Sequence, residues 1–162
     1  MNAPLALSPA ALARIDQAVA KYPPDQKQSA VMAALTIAQD EKGWLSTATM
    51  DFVAQYLEMP PIAVYEVASF YTMYDLKPVG KCKLAICTNL PCALQGATAA
   101  AAHLKQKLGI EFGETTADGA FTLKEAECLG ACGDAPVVLV NNKRMACAMT
   151  ADKLDKLIEE MK

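Results

Sequence analysis

Two short cysteine pairs hold the reactive groups of this sequence, Cys87-Thr88-Asn89-Leu90-Pro91-Cys92 and Cys128-Leu129-Gly130-Ala131-Cys132. Four residues stand between the first two thiols and three between the second two, and thirty-five separate Cys92 from Cys128. Each pair falls in a loop expected to follow a strand. Four thiolates drawn from two such loops make one metal site closed by the fold, and the pattern is read as that of a [2Fe–2S] cluster. Structural zinc is the rival. It favours tight knuckles, usually with two residues between sulfurs, so gaps of four and three suit it less well. A metal analysis with a visible spectrum separates the two, because zinc is colourless.

Other thiol and redox chemistries lack residues. Plant-type ferredoxin spacing needs a cysteine where Gln95 stands, and a Rieske centre needs two histidines where His103 is alone. A thioredoxin-style dithiol needs C-x-x-C, which is absent. Cys82 and Cys87 stand five positions apart on an expected strand, a separation of about 16 Å with the side chains on opposite faces. Cys82 is therefore read as a small buried residue. Cys147, isolated in a later expected strand, is read the same way, and His103 as an ordinary solvent-facing residue. There is no G-x-G-x-x-G and no P-loop, so hydride chemistry is expected on another polypeptide.

Strands and helices must position the four thiols. Cys87 is expected to end a strand built on Leu84-Ala85-Ile86. Cys92 is expected to open an alanine-rich helix from Ala93 to Leu108, closed by Gly109, where the positive helix end favours an anionic centre. Phe121-Thr122-Leu123 starts a strand leading towards Cys128. Gly130 and Gly133 let the backbone approach a bulky group. Val137 to Val140 is a further strand, Asn141-Asn142 a turn, and Met145 to Ala148 a short strand. Thr150 caps a last helix with Leu154, Leu157 and Ile158 inward. The order β-α-β-β-β-α predicts a thioredoxin-like α/β domain over residues 79–162.

Residues 1–78 contain no cysteine and read as a small helical bundle. Residues 1–7 are expected to be frayed. Ser8-Pro9 starts a helix with Leu12, Ile15 and Val19 on one face, and Tyr22-Pro23-Pro24 stops it. A second helix is expected from Gln26 to Lys42, with Val31, Leu35 and Ala38 inward and Gly43 after its end. Ser46 or Thr47 caps a third, carrying Met50, Val53, Leu57 and Phe52 and ending near Met59. A fourth uses Val64, Val67 and Phe70 or Tyr71. Tyr65, Phe70, Tyr71 and Tyr74 are read as core and interface packing. Lys77 to Lys81 is the joint. The fold class is thus α+β: a helical bundle, then a thioredoxin-like domain. The helical part, with large apolar residues such as Trp44 and Tyr65, is expected to dock a partner.

Composition narrows the partners. The 162 residues are 53% apolar and carry a formal charge of −3, so nothing favours nucleic acid. No stretch approaches the roughly 18 to 20 apolar residues of a spanning helix, so direct membrane insertion is not expected. With no signal or transit peptide visible, the cysteines are expected to be reduced in a bacterial cytoplasm.

The motifs also carry a resemblance. Cys87-Thr88 and Cys92, with Glu127-Cys128-Leu129-Gly130-Ala131-Cys132-Gly133 and Ala135-Pro136-Val137, closely resemble the E-subunit family of NADH:quinone oxidoreductase, respiratory complex I. Ser29-Ala30-Val31, residues 38–45, 67–73 and 118–123 are similar to that family too, and the likeness covers about residues 22 to 156. The run Arg144 to Ala148 is more apolar than the family pattern. The resemblance implies a [2Fe–2S] cluster held by Cys87, Cys92, Cys128 and Cys132. It implies an electron-transfer subunit beside a flavin-bearing, NADH-oxidising partner, peripheral on the cytoplasmic face of a bacterial inner membrane. The equivalent subunit of a soluble NAD-dependent hydrogenase or formate dehydrogenase is the alternative.

Overall fold

The structure, a computed structural model, describes residues 7–162. The chain divides into two compact units, Met1–Pro78 and Val79–Lys162.

The first unit is helical: α1 (Pro9–Val19), α2 (Val31–Lys42), α3 (Thr47–Tyr56) and α4 (Pro61–Phe70). Ser8 is the N-cap of α1, its hydroxyl accepting from Ala11 N. Leu7 is buried, against the fraying expected there; the rest of the expected frayed segment lies outside the described residues. Between α1 and α2 the chain makes a 3₁₀ turn over Pro24–Ala30 with a non-helical break at Gln26, so the second helix starts at Val31 rather than Gln26. Two prolines in sequence open that turn. Gly43 ends α2 in the left-handed region, and Ser46 caps α3.

The core of this unit gathers Ile15, Leu35, Leu45, Val53, Leu57 and Val64. Phe70 and Tyr71 are not in it: Phe70 is 78% exposed and Tyr71 lies beyond the helix in extended backbone. The reason is periodicity. Val64 and Ala68, four apart, set the inward face of α4, which turns Phe70 outward. Tyr74 is buried and donates to Met32 O, whereas the Tyr65 hydroxyl donates to Asp51.

The second unit is a four-stranded sheet with helices: β1 (Cys82–Cys87), α5 (Leu90–Leu94), α6 (Ala97–Leu108), β2 (Phe121–Ala126), β3 (Val138–Val140), β4 (Arg144–Ala146) and α7 (Ala151–Glu160). The strand order is β2-β1-β3-β4, with β1 and β2 parallel and the other pairs antiparallel. Cys82, Leu84 and Ile86 pack with Leu104 of α6 and with Leu154, Leu157 and Ile158 of α7. The expected helix from Ala93 to Leu108 is broken at Gly96, which sits at φ 95° and separates α5 from α6. Asn141 and Asn142 both take positive φ in the hairpin between β3 and β4.

Candidate metal centre

Parallel pairing of β1 with β2 runs both strands out at the same end of the sheet. Cys87 is the last residue of β1, and the loop holding Cys128 and Cys132 follows Ala126 at the end of β2. Main-chain bonds tie the two exits together: Thr88 N donates to Ala126 O, and Cys87 N donates to Val137 O at the start of β3. The Cys87 thiol donates to Glu127 O at 3.4 Å, and Thr88 Oγ1 donates to Glu125 Oε1 at 2.6 Å. Asn89, Leu90 and Pro91 then turn the chain into α5, with the Asn89 side chain accepting from Leu90 N at 2.9 Å.

The thiols differ in exposure. Cys87 and Cys92 are 1% and 2% exposed and pack with Ala97, Leu129 and Ala135, whereas Cys128 and Cys132 are exposed. Burial, the contact with Cys87, and the negative charge of Cys87, Cys132 and Cys128 together push the Cys92 thiol up to about 11. Each of the other three thiols thus acts on Cys92. The Cys92 thiol thus resists ionising by itself, and a group bringing positive iron beside it would remove that resistance. No set of three or more His, Cys, Asp or Glu side chains among the described residues is drawn tightly enough to hold a single metal ion. The donor chemistry, all soft thiol and drawn from two loops, fits an iron–sulfur cluster.

Cys82 lies in the other core, across the sheet, and burial alone pushes its thiol up to about 11. Cys147 stands just past β4 and is half-buried, so it is neither a strand residue nor a core residue. The expected helix-dipole effect at Cys92 is small, because α5 has five residues and Cys92 is its third. His103 is not merely solvent-facing: its Nε2 lies 2.8 Å from Asp155 Oδ1, joining α6 to α7. The charge pattern at positions 103, 107 and 155 offered that pairing, since Lys107 Nζ is also 3.3 Å from Asp155.

The family model of the thioredoxin-like [2Fe-2S] ferredoxins matches residues 15–162. The chain belongs to this family. Among curated members, the NADH-quinone oxidoreductase E subunit of Rickettsia felis is 46% identical over 143 residues, 88% of this chain and 85% of that protein. The corresponding E 2 subunit of Rhizobium meliloti is 45% identical over 148 residues, 91% of this chain and 86% of its own length. Among solved structures, an NAD+-reducing [NiFe]-hydrogenase in the air-oxidised state superposes with a TM-score of 0.68 at 24% identity. That alignment takes in 78% of this chain and 22% of the hydrogenase chain, and it is a likeness of fold. The cofactor of a thioredoxin-like [2Fe–2S] ferredoxin is the cluster in its name, and the four thiols at the end of β1 and β2 are the residues suited to it.

Proposed function

We propose that this chain is the [2Fe–2S] electron-transfer subunit of an NADH:quinone oxidoreductase, with Cys87, Cys92, Cys128 and Cys132 as ligands. The observation that carries this reading is that the two loops bearing the four thiols leave the same end of the sheet, in a chain 43–46% identical to several bacterial E subunits. When bound, the cluster supplies one-electron storage and transfer. Cys87 and Cys92, buried against Ala97, would hold such a group from the protein side, and Cys128 and Cys132 would hold it from their exposed loop.

NADH yields an electron pair as a hydride, so a partner with a nucleotide site and a flavin must divide the pair before this chain accepts one electron. That partner is the flavin-bearing subunit of the same complex, on the cytoplasmic face of the inner membrane. No described helix is long and apolar enough to cross a membrane, which accords with a peripheral place. A hydrogenase host is the second reading; its support is the fold likeness alone. The experiment is metal and labile-sulfide analysis of the anaerobically purified chain. About two irons and two sulfides per chain, with a paramagnetic signal after one-electron reduction, are expected. Stoichiometric zinc without labile sulfide would overturn the reading.

A further inference from the structure

One charged pair stands where β1 and β2 end. Thr88 is the residue after Cys87, and Glu125 is the last but one of β2, three before Cys128. In the parallel register Glu125 lies opposite Ile86, and Ala126 opposite Cys87. The Thr88 hydroxyl donates to Glu125 Oε1 at 2.6 Å. The backbone beneath is fixed as well, since Thr88 N donates to Ala126 O at 3.2 Å. An exposed glutamate ordinarily spreads its charge over several rotamers, but this bond keeps one oxygen of Glu125 at Thr88. Bond lengths from Oε1 through Thr88 to the Cys87 sulfur put the carboxylate within about 12 Å of that thiol. Glu125 shares a sheet face with Ile86, the reverse of the Cys87 face, so it acts on the thiols by its field and not by contact. Neither 88–96 nor 125–136 contains a Lys or Arg, so no cation of the two ligand loops offsets that charge.

Resting on the reading of the four thiols as the ligands of a [2Fe–2S] cluster, we propose that Glu125, positioned by Thr88, lowers the potential of the bound cluster. Reduction transfers one electron from the reductant, dithionite in vitro or the partner's reduced flavin; no bond forms or breaks. The added negative charge is repelled by a carboxylate held nearby. At about 10 Å and an effective dielectric constant of about 20 to 40, that repulsion changes the reduced-to-oxidised ratio several-fold. Thr88 is a positioning residue: without its hydroxyl the carboxylate samples solvent and its field weakens.

The test is a redox titration of the full holo-chain with dithionite at pH 8 and low salt, the paramagnetic signal reporting the reduced fraction. Glu125→Gln should raise the reduced-to-oxidised ratio at a fixed potential about fivefold, a midpoint rise of about 40 mV for one electron. Thr88→Val should shift it the same way by a smaller factor, and Thr88→Ser, which keeps the donor, should restore the wild-type midpoint. In the Glu125→Gln background Thr88→Val should add nothing, because the charge it positions is gone. Added salt should close the gap between wild type and Glu125→Gln. Glu111→Gln, beyond the end of α6, should leave the midpoint as it is. A midpoint that stays or falls in Glu125→Gln with its iron intact overturns the inference. So does a fall in Thr88→Val, or an equal Thr88→Val shift in both backgrounds, since the hydroxyl would then act on the cluster without Glu125. Loss of iron from both Glu125→Gln and Glu125→Ala would give the carboxylate a holding role instead and equally overturns it. All of these leave the cluster reading standing, whereas a wild-type chain that takes up no iron and sulfide anaerobically overturns that reading itself.

Discussion

Cys82 and Cys87 begin and end the same strand, and the pleat turns them to opposite faces of the sheet. Their substitutions should therefore part company. Replacing Cys128 or Cys132 by Ala is expected to remove the visible absorbance and the iron. Cys82→Ala should keep both and cost about 1 kcal/mol, read from urea unfolding, as a small truncation in a packed core. Cys82 also sets a pH dependence. Its folded thiol keeps its proton up to about 11, against 9.0 ordinarily, so between these values the unfolded chain alone is ionised. The stability this group contributes is whole below pH 9 and lost as pH rises towards 11. The Cys82→Ala variant should show a flatter stability curve across that window. Spacing and strand parity made the opposite faces of Cys82 and Cys87 readable from the sequence. The half-exposure of Cys147 was not, because it depends on where β4 stops, and a three-residue strand has weak boundaries.

Helix starts show the same contrast between local and distant causes. Ser8-Pro9 and Ser46 announce themselves by chemistry acting within one turn, and both are N-caps in the fold. The clasp that Ser8 makes with Glu41 is non-local and left no mark in the sequence. Ser8 N and Oγ both donate to the Glu41 carboxylate, joining the start of α1 to the end of α2. These bonds, with Lys42, hold the Glu41 carboxyl at about 2. Its contribution to the helical unit is present above the ordinary value of 4.5 and is lost as pH falls towards 2. Glu41→Gln should reduce the loss of helical signal across that acid window, and Ser8→Ala should cost about 1 kcal/mol. Gly96 was hidden inside an alanine-rich run that reads as one helix. A Cβ there meets nothing within 4 Å, so the obstacle to Gly96→Ala is the backbone angle alone. About 1–2 kcal/mol of destabilisation is expected, measurable by thermal unfolding.

At the scale of the whole molecule, the change in composition near Lys77 to Lys81 coincides with the boundary between the two compact units. All four candidate ligands, and every strand among the described residues, belong to the second. We expect a fragment from Val79 onward to take up iron and sulfide, and residues 1–77 alone to be helical and colourless. Circular dichroism and the visible spectrum check both. The full holo-chain mixed anaerobically with NADH should stay oxidised, since no nucleotide motif is present, and dithionite should reduce it. Bleaching by NADH without partner or flavin would reveal a nucleotide site in this chain. The broad order of elements was legible because strands and helices alternate with clear stops. The outward turn of Phe70 was not, because two aromatic residues side by side at a helix end fit either face until Val64 and Ala68 fix the inward one.

The parallel pairing of β1 with β2 makes neighbours of loops that lie thirty-five residues apart along the chain, with α6 in the crossover between them. A group bonded to Cys92 and Cys128 together is then a stitch across that crossover. For a covalent cross-link, closing a loop of this length restricts the unfolded chain by about 3–4 kcal/mol. A metal clip works in the same way. Stripping the iron should therefore do more than bleach the protein. It should loosen the sheet where its two parallel strands end, so that amide protons of β1 and β2 exchange faster in the apo-chain while those of α1 to α4 keep their rates.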